Sequence, residues 1–228
     1  MKYVENIQQV ADLQPDYLGF IFYEKSKRNF EGIIPEFPNS IKKTGVFVNE
    51  YIEIVISLVE EYRLEAIQLH GDESVEYVTD LKNQLTERRA LFIEENKSIK
   101  KKKNQHYISK NEVEIIKVFG IKDEFNFDVL KPYLEVVDFF LFDTKGKERG
   151  GNGTKFDWSV LEKYPFDIPF FLSGGIGLDD VEEVQKIMKS DLPIYALDVN
   201  SQFESKPGVK KIEELEKFKK NVITNVVK

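Results

Sequence analysis

The sequence predicts an α/β fold built on a parallel sheet, and three observations carry that prediction. Short apolar runs rich in β-branched and aromatic residues recur seven times, at residues 17–23, 44–48, 66–69, 114–119, 139–142, 169–172 and 194–199. Most intervals between them place apolar residues at helical spacing, such as Ile54, Val55, Leu58, Val59 and Tyr62, or Val181, Val184, Ile187 and Met188. The runs are continuously apolar, as strands covered on both faces require. Two architectures satisfy this alternation: a (β/α)8 barrel with one strand missing, and an open doubly wound sheet.

Taken in order, the chain opens with a helical pattern at Val4, Ile7, Val10 and Leu13, ahead of any strand. A barrel starts on a strand, so in a barrel the missing strand is the first. Between the first two runs, residues 29–40 read NFEGIIPEFPNS, and Pro35 and Pro38 leave room only for a loop or a single turn. Residues 83–111, with Lys97 and the lysines at 100–103, form a connection far longer than usual. They are expected to be a solvated insertion on the surface of a single domain spanning 1–228, with a strand at 89–93. A last helical pattern, Ile212, Leu215, Phe218 and Val222, closes the chain.

Composition narrows the function. With 33 Lys plus Arg against 40 Asp plus Glu, the net charge of -7 speaks against a nucleic-acid partner held through phosphates, and the lysine run lacks interleaved aromatics. No run approaches the roughly 18 apolar residues of a membrane span, and the first residues lack the basic-then-apolar pattern of a leader, so no membrane partner and a cytoplasmic location are expected. The chain has no cysteine and only His70 and His106, which excludes disulfides and thiolate chemistry within it and argues against a histidine-rich metal site. No cofactor is expected.

In a barrel, chemistry sits at the C-terminal strand ends and the loops that follow. Those positions carry GFIFYEKSKR ending at Arg28, GVFVN, QLHGDE with His70, FDTK with Asp143, GGNGTKFDW at 150–158, LSGGI with Gly174 and Gly175, and a last strand running into Asp198, Val199, Asn200 and Ser201. Gly174 and Gly175 let backbone approach an anion, the turn at Asn200 and Ser201 leads toward a short helix whose amides face the same place, and Ser201 adds a hydroxyl. Trp158 and Phe156 are expected to pack at a helix start. A histidine on an apolar strand end either lines a site or is a satisfied structural residue.

This ordered set resembles the phosphoribosylanthranilate isomerase family, a TIM-barrel family of tryptophan biosynthesis, over about residues 4–218. The resemblance implies a phosphorylated small-molecule substrate and an Amadori rearrangement that needs an acid and a base on opposite sides of a sugar. Asp143 matches the acid, and the FFLF run before it would dry its surroundings and favour the protonated form. Arg28 matches the position that holds the anthranilate carboxylate, suited to a guanidinium fork. The family's base is a cysteine followed by glycine in the first strand; aligned on the first helix, Met1 falls just after that pair. The expectation is therefore that the chain starts at an internal methionine of a longer reading frame and that, from Met1, it is aggregation-prone or only marginally folded, and inactive, with an untethered first helix and two unpaired strand edges. Gln202 stands where the family has glycine, which puts one backbone amide of the phosphate site in question. The alternatives are a noncatalytic phosphoester-binding barrel and another phosphate-binding barrel enzyme, such as the synthase of the following step, whose lysine and glutamate pattern is absent.

Overall fold

In the computed structural model, residues 1–98, 112–122, 124–145 and 155–224 are described. Seven strands, β1 (Tyr17–Ile21), β2 (Lys42–Phe47), β3 (Ala66–Leu69), β4 (Glu114–Ile121), β5 (Phe139–Thr144), β6 (Phe170–Leu172) and β7 (Ile194–Leu197), form one sheet. Every pairing is parallel and the strands lie in sequence order. The doubly wound alternative is overturned, because that fold reverses its strand order at a switch point. The sheet is a curled barrel wall with an open seam between β1 and β7.

Helices α1 (Val4–Asp12), α2 (Ile52–Tyr62), α3 (Val75–Ser98), α4 (Val181–Ile187) and α5 (Ile212–Thr224) cover the outside. The predicted strand at 89–93 lies within α3. Good helix formers (Glu, Arg, Ala, Leu) dominate its stretch TERRALFIEEN, and Arg88 and Arg89 reach Glu60 and Glu112 at 2.9 Å each, so propensity and charge pairing outweigh a short apolar run. The lysine run at 100–103 lies outside the described residues. Residues 29–40 contain no helix, as the prolines predict. After β4 and β5 the described residues make short 3-10 turns, Phe127–Tyr133 and Trp158–Lys163, and no α-helix. Trp158 and Phe156 are buried at the second, which Asp157 caps through Ser159 N.

Two apolar layers follow from the strand period of two. One fills the space between sheet and helices. The other lines the barrel interior, where Ala66, Ile116, Val118, Phe139, Leu141 and Phe171 pack with Tyr17 and Ala196. Across the seam β1 and β7 share no backbone pairing, yet Tyr17 and Tyr195 meet edge-on with ring centroids 6.3 Å apart. Tyr17 also donates to Glu114 at 2.9 Å, closing the N-terminal end of the barrel.

The first helix is tethered, contrary to expectation. Asn6 in α1 exchanges two hydrogen bonds with the backbone of Lys210, at 3.0 and 2.7 Å. Lys219 of α5 donates to Gln14 O at 2.9 Å, and the Met1 amino group donates to Gly19 O on the free edge of β1. The hairpin that carries Lys210, β8 (Glu204–Lys206) with β9 (Val209–Lys210), has no counterpart in the sequence prediction; its apolar content is too low to register as strand.

A buried ion pair fixes the loop after β3. Lys117 and Glu73, with side chains 3% and 1% exposed, lie 3.1 Å apart. Lys117 also donates to the carbonyls of Leu69 at 3.3 Å and Gly71 at 2.9 Å, and Glu73 accepts from the Asn49 and Gly71 amides. Removing one partner strands the other charge. Lys117→Met is expected to lower unfolding free energy by about 3–5 kcal/mol, read from urea unfolding.

Candidate active site

The strand alternation that buries Leu141, Phe171 and Ala196 inside the barrel aims the residues two positions on, Asp143, Ser173 and Asp198, into its mouth. Phe142 pairs with Leu172, and Leu172 with Leu197, so these three stand side by side in one row. Backbone bonds from Ser173 N to Phe142 O and from Asp198 N to Leu172 O extend that register to the row itself, at 2.9 and 2.8 Å. The same count from Ala66 brings Gln68 and then His70 into the mouth. His70 Nε2 lies 3.5 Å from Asp143 Oδ2, and Gln68 Nε2 is 3.2 Å from His70 Nδ1. The ring is thus bracketed by the Gln68 amide at Nδ1 and the Asp143 side chain at Nε2.

Asp143 is buried, at 8% exposure, and its Oδ1 accepts from Thr144 N at 2.8 Å. Gly174 packs directly against it. Its φ of +95° is left-handed, and a Cβ there would lie 2.3 Å from Thr144 Oγ1 and 3.2 Å from Asp143 Oδ1. Gly175 follows at φ +70°. Two successive residues in this region demand glycine, and the close approach to Thr144 excludes even alanine at Gly174.

At the other side of the mouth, Arg28 is held by Glu204, with Nε at 2.8 Å and Nη2 at 2.7 Å from Oε2. No described residue bonds its Nη1, so that edge of the fork faces outward from the pair. Lys210 joins the same cluster, donating to Glu204 Oε1 at 3.0 Å and to Asn200 O at 3.0 Å. Burial raises the Glu204 carboxyl, but Arg28 and Lys210 together hold it below the usual carboxylate range. Asn200 leads into a 3-10 turn, Ser201–Phe203. Gln202 takes its place in this turn without a left-handed backbone, so a side chain is accommodated where the family motif has glycine.

All seven residues expected from the sequence, Arg28, His70, Asp143, Gly174, Gly175, Asn200 and Ser201, line one cavity of about 490 Å³. It runs from the mouth down through the barrel and along the open seam to Gln14 and Val222. The sequence reading assigned no role to Asp198, Ser173, Glu204 or Lys210. Asp198, whose carboxyl is pushed up by burial and then by Asp143, accepts from Ser173 Oγ at 3.0 Å. Counting by twos from the interior residues would have found Asp198 and Ser173; no local signal marks Glu204 and Lys210, which act through distant partners. Residues 150–154 of the GGNGTKFDW motif lie outside the described residues. Among the described residues no group of three or more acidic or histidine side chains could hold a metal ion, and no helix is long and apolar enough to cross a membrane.

A parallel α/β barrel wall with ionisable and glycine-rich groups gathered at its C-terminal strand ends has the architecture of the (β/α)8 barrel class, with its candidate site where such barrels carry theirs. The chain belongs to the phosphoribosylanthranilate isomerase family: the family model described as N-(5'phosphoribosyl)anthranilate (PRA) isomerase matches residues 1–109 and 100–221. It is 35% identical over 163 residues to N-(5'-phosphoribosyl)anthranilate isomerase of Parabacteroides distasonis, covering 69% of this chain and 62% of that protein. The corresponding protein of Caldanaerobacter subterraneus is 34% identical, with 69% and 64% covered. These matches thus span less than two thirds of those relatives' length. Among solved structures, phosphoribosyl anthranilate isomerase of Thermotoga maritima superposes with a TM-score of 0.70 at 28% identity over 98% of this chain and 96% of that one. Another, crystallised with reduced 1-(o-carboxyphenylamino)-1-deoxyribulose 5-phosphate, gives 0.68 at 26% identity, covering 97% and 94%.

Proposed function

We propose that this barrel mouth converts N-(5-phosphoribosyl)anthranilate to 1-(2-carboxyphenylamino)-1-deoxyribulose 5-phosphate by an Amadori rearrangement. The observation that carries the reading is the inward-facing Asp143, flanked on one side by the Gly174–Gly175 and Asn200–Ser201 loops and across the cavity by Arg28. Asp143 protonates the furanose ring oxygen, the bond from that oxygen to C1 breaks, and the aniline nitrogen takes up the cationic character as an iminium. A base removes the C2 proton, the electrons of that C–H bond form the C1–C2 double bond, and the resulting enaminol tautomerises to the ketone. The base belongs on the seam side, opposite Asp143, where the family motif has its cysteine. Arg28, through its Nη1 edge, takes the anthranilate carboxylate. The two late loops take the phosphate, and Ser201 contributes its hydroxyl. His70, with Nε2 3.5 Å from Asp143 Oδ2, orients the acid.

The chemistry needs no cofactor. The same cavity would serve a noncatalytic phosphoester-binding barrel, a reading favoured by the absence of cysteine from the 228 residues. Both readings require binding; only the isomerase requires turnover.

The division of the site between two loops is testable. Arg28→Ala is expected to weaken the reduced carboxyphenylamino-deoxyribulose phosphate about 10-fold or more while sparing inorganic phosphate, as loss of charge-assisted hydrogen bonds of roughly 1.5–3 kcal/mol implies. Gly174→Val should weaken both ligands, because both carry the phosphate. Titration calorimetry on the two variants measures this, and equal losses for phosphate in both would contradict the assignment.

A further inference from the structure

Lys210 sits between the two halves of the site and touches neither end of the substrate as assigned above. Its backbone is pinned from α1 by the paired hydrogen bonds of Asn6. Its side chain is 8% exposed and that of Glu204 is 4% exposed. An ammonium has three N–H donors and no acceptor. Here all three have partners: Asn200 O at 3.0 Å, Asn200 Oδ1 at 2.5 Å and Glu204 Oε1 at 3.0 Å. Glu204 in turn grips Arg28 by two guanidinium nitrogens. An unbroken chain of charge-assisted bonds therefore runs from the Asn200 turn through Lys210 and Glu204 to Arg28.

We propose that Lys210 is a positioning residue that couples the phosphate end of the site to the carboxylate end, so that an anion seated at Asn200 and Ser201 sets the orientation of Arg28. The proposal rests on the functional reading above for the identity of the two ends. Each link is short and directional. A shift of the Asn200 turn toward a bound phosphate moves two of the three acceptors of Lys210 together, and the third acceptor carries the displacement to the carboxylate that aims the guanidinium. By linkage the effect is mutual: phosphate tightens the aromatic carboxylate, and the aromatic carboxylate tightens phosphate. For an enzyme acting on a substrate with both groups, this favours the whole molecule over either fragment.

The test uses fragments, inorganic phosphate and anthranilate, titrated separately and together into the 228-residue protein. In the wild type, saturating phosphate is expected to tighten anthranilate by about 5-fold or more. Lys210→Met removes the three donors with an unbranched chain of similar length, and the enhancement should vanish. Asn200→Ala removes the side-chain link and leaves the Lys210–Glu204–Arg28 cluster in place; it should lower the enhancement without abolishing anthranilate binding, and it decides the matter if Lys210→Met shows no cooperative thermal unfolding. A merely structural lysine would change both affinities and leave their ratio of coupling intact. Enhancement that persists in Lys210→Met, enhancement undiminished in Asn200→Ala, or a wild type that binds both fragments independently, overturns the proposal. A wild type that binds neither fragment overturns the functional reading itself.

Discussion

Turnover of N-(5-phosphoribosyl)anthranilate is expected to fall about 10²–10⁴-fold in Asp143→Asn, the range for loss of a positioned general acid. Asparagine preserves the shape of the side chain and can still accept from Thr144 N, so the row formed with Ser173 and Asp198 should stand. What it loses is the proton that the ring oxygen takes as the sugar opens. Asp198 is the other carboxyl in that row, and its carboxyl is pushed up by burial and by Asp143. It accepts from Ser173 Oγ at 3.0 Å, one strand removed from Asp143, so it stands beside the acid rather than in its place. Steady-state kinetics together with calorimetry separate the effects: kcat should collapse while affinity for the reduced product analogue stays within about 3-fold, since a group acting only in the transition state leaves ground-state binding nearly unchanged. Undiminished kcat in a folded Asp143→Asn would remove Asp143 from the chemistry.

The second large effect concerns the seam. β1 and β7 each keep one edge without a strand partner among the described residues, and the cavity runs along that opening. Met1 is buried with its amino group on Gly19 O, so the chain enters α1 alongside the free edge of β1. A strand laid in this seam would pair with both edges and cover the interior residues that now line the cavity. Supplying one ahead of Met1, ending in Cys-Gly, is therefore expected to raise Tm, by about 2–4 °C for each kcal/mol gained in a chain of this size, and to raise turnover by placing a thiolate across from Asp143. A chain without it that unfolds cooperatively at the same temperature and turns over at the same rate would mean that the edges need no partner and that another group is the base. In the folded chain α1 is held through Asn6 and the following turn at Gln14 through Lys219, where sequence reasoning expects a loose helix.

Much of this fold was legible because its signals are local. Seven apolar runs of strand length matched seven strands, with ends differing by a few residues, and the helical faces of α1, α2, α4 and α5 follow from spacing alone. The strand expected at 89–93 failed because a short apolar run does not separate a strand from the exposed end of a long helix. The open doubly wound sheet stayed possible because periodicity says nothing about strand order. In the site, the strand-end rule and the family motifs gathered Arg28, His70, Asp143, Gly174, Gly175, Asn200 and Ser201, all on one cavity. What they missed was the wiring: Glu204 reaches Arg28 across 176 positions of sequence, and Asn6 reaches Lys210 across 204. Such pairs are fixed by closure of the barrel wall and leave no local trace.

The most direct test of the account is a crystal structure of the protein with reduced 1-(2-carboxyphenylamino)-1-deoxyribulose 5-phosphate. The account predicts the carboxylate on the Nη1 edge of Arg28, the phosphate between Gly174–Gly175 and Asn200–Ser201, and Asp143 within about 2.6–3.2 Å of the C4 oxygen that was the ring oxygen of the substrate. A phosphate bound at Arg28, or a sugar out of reach of Asp143, would contradict it.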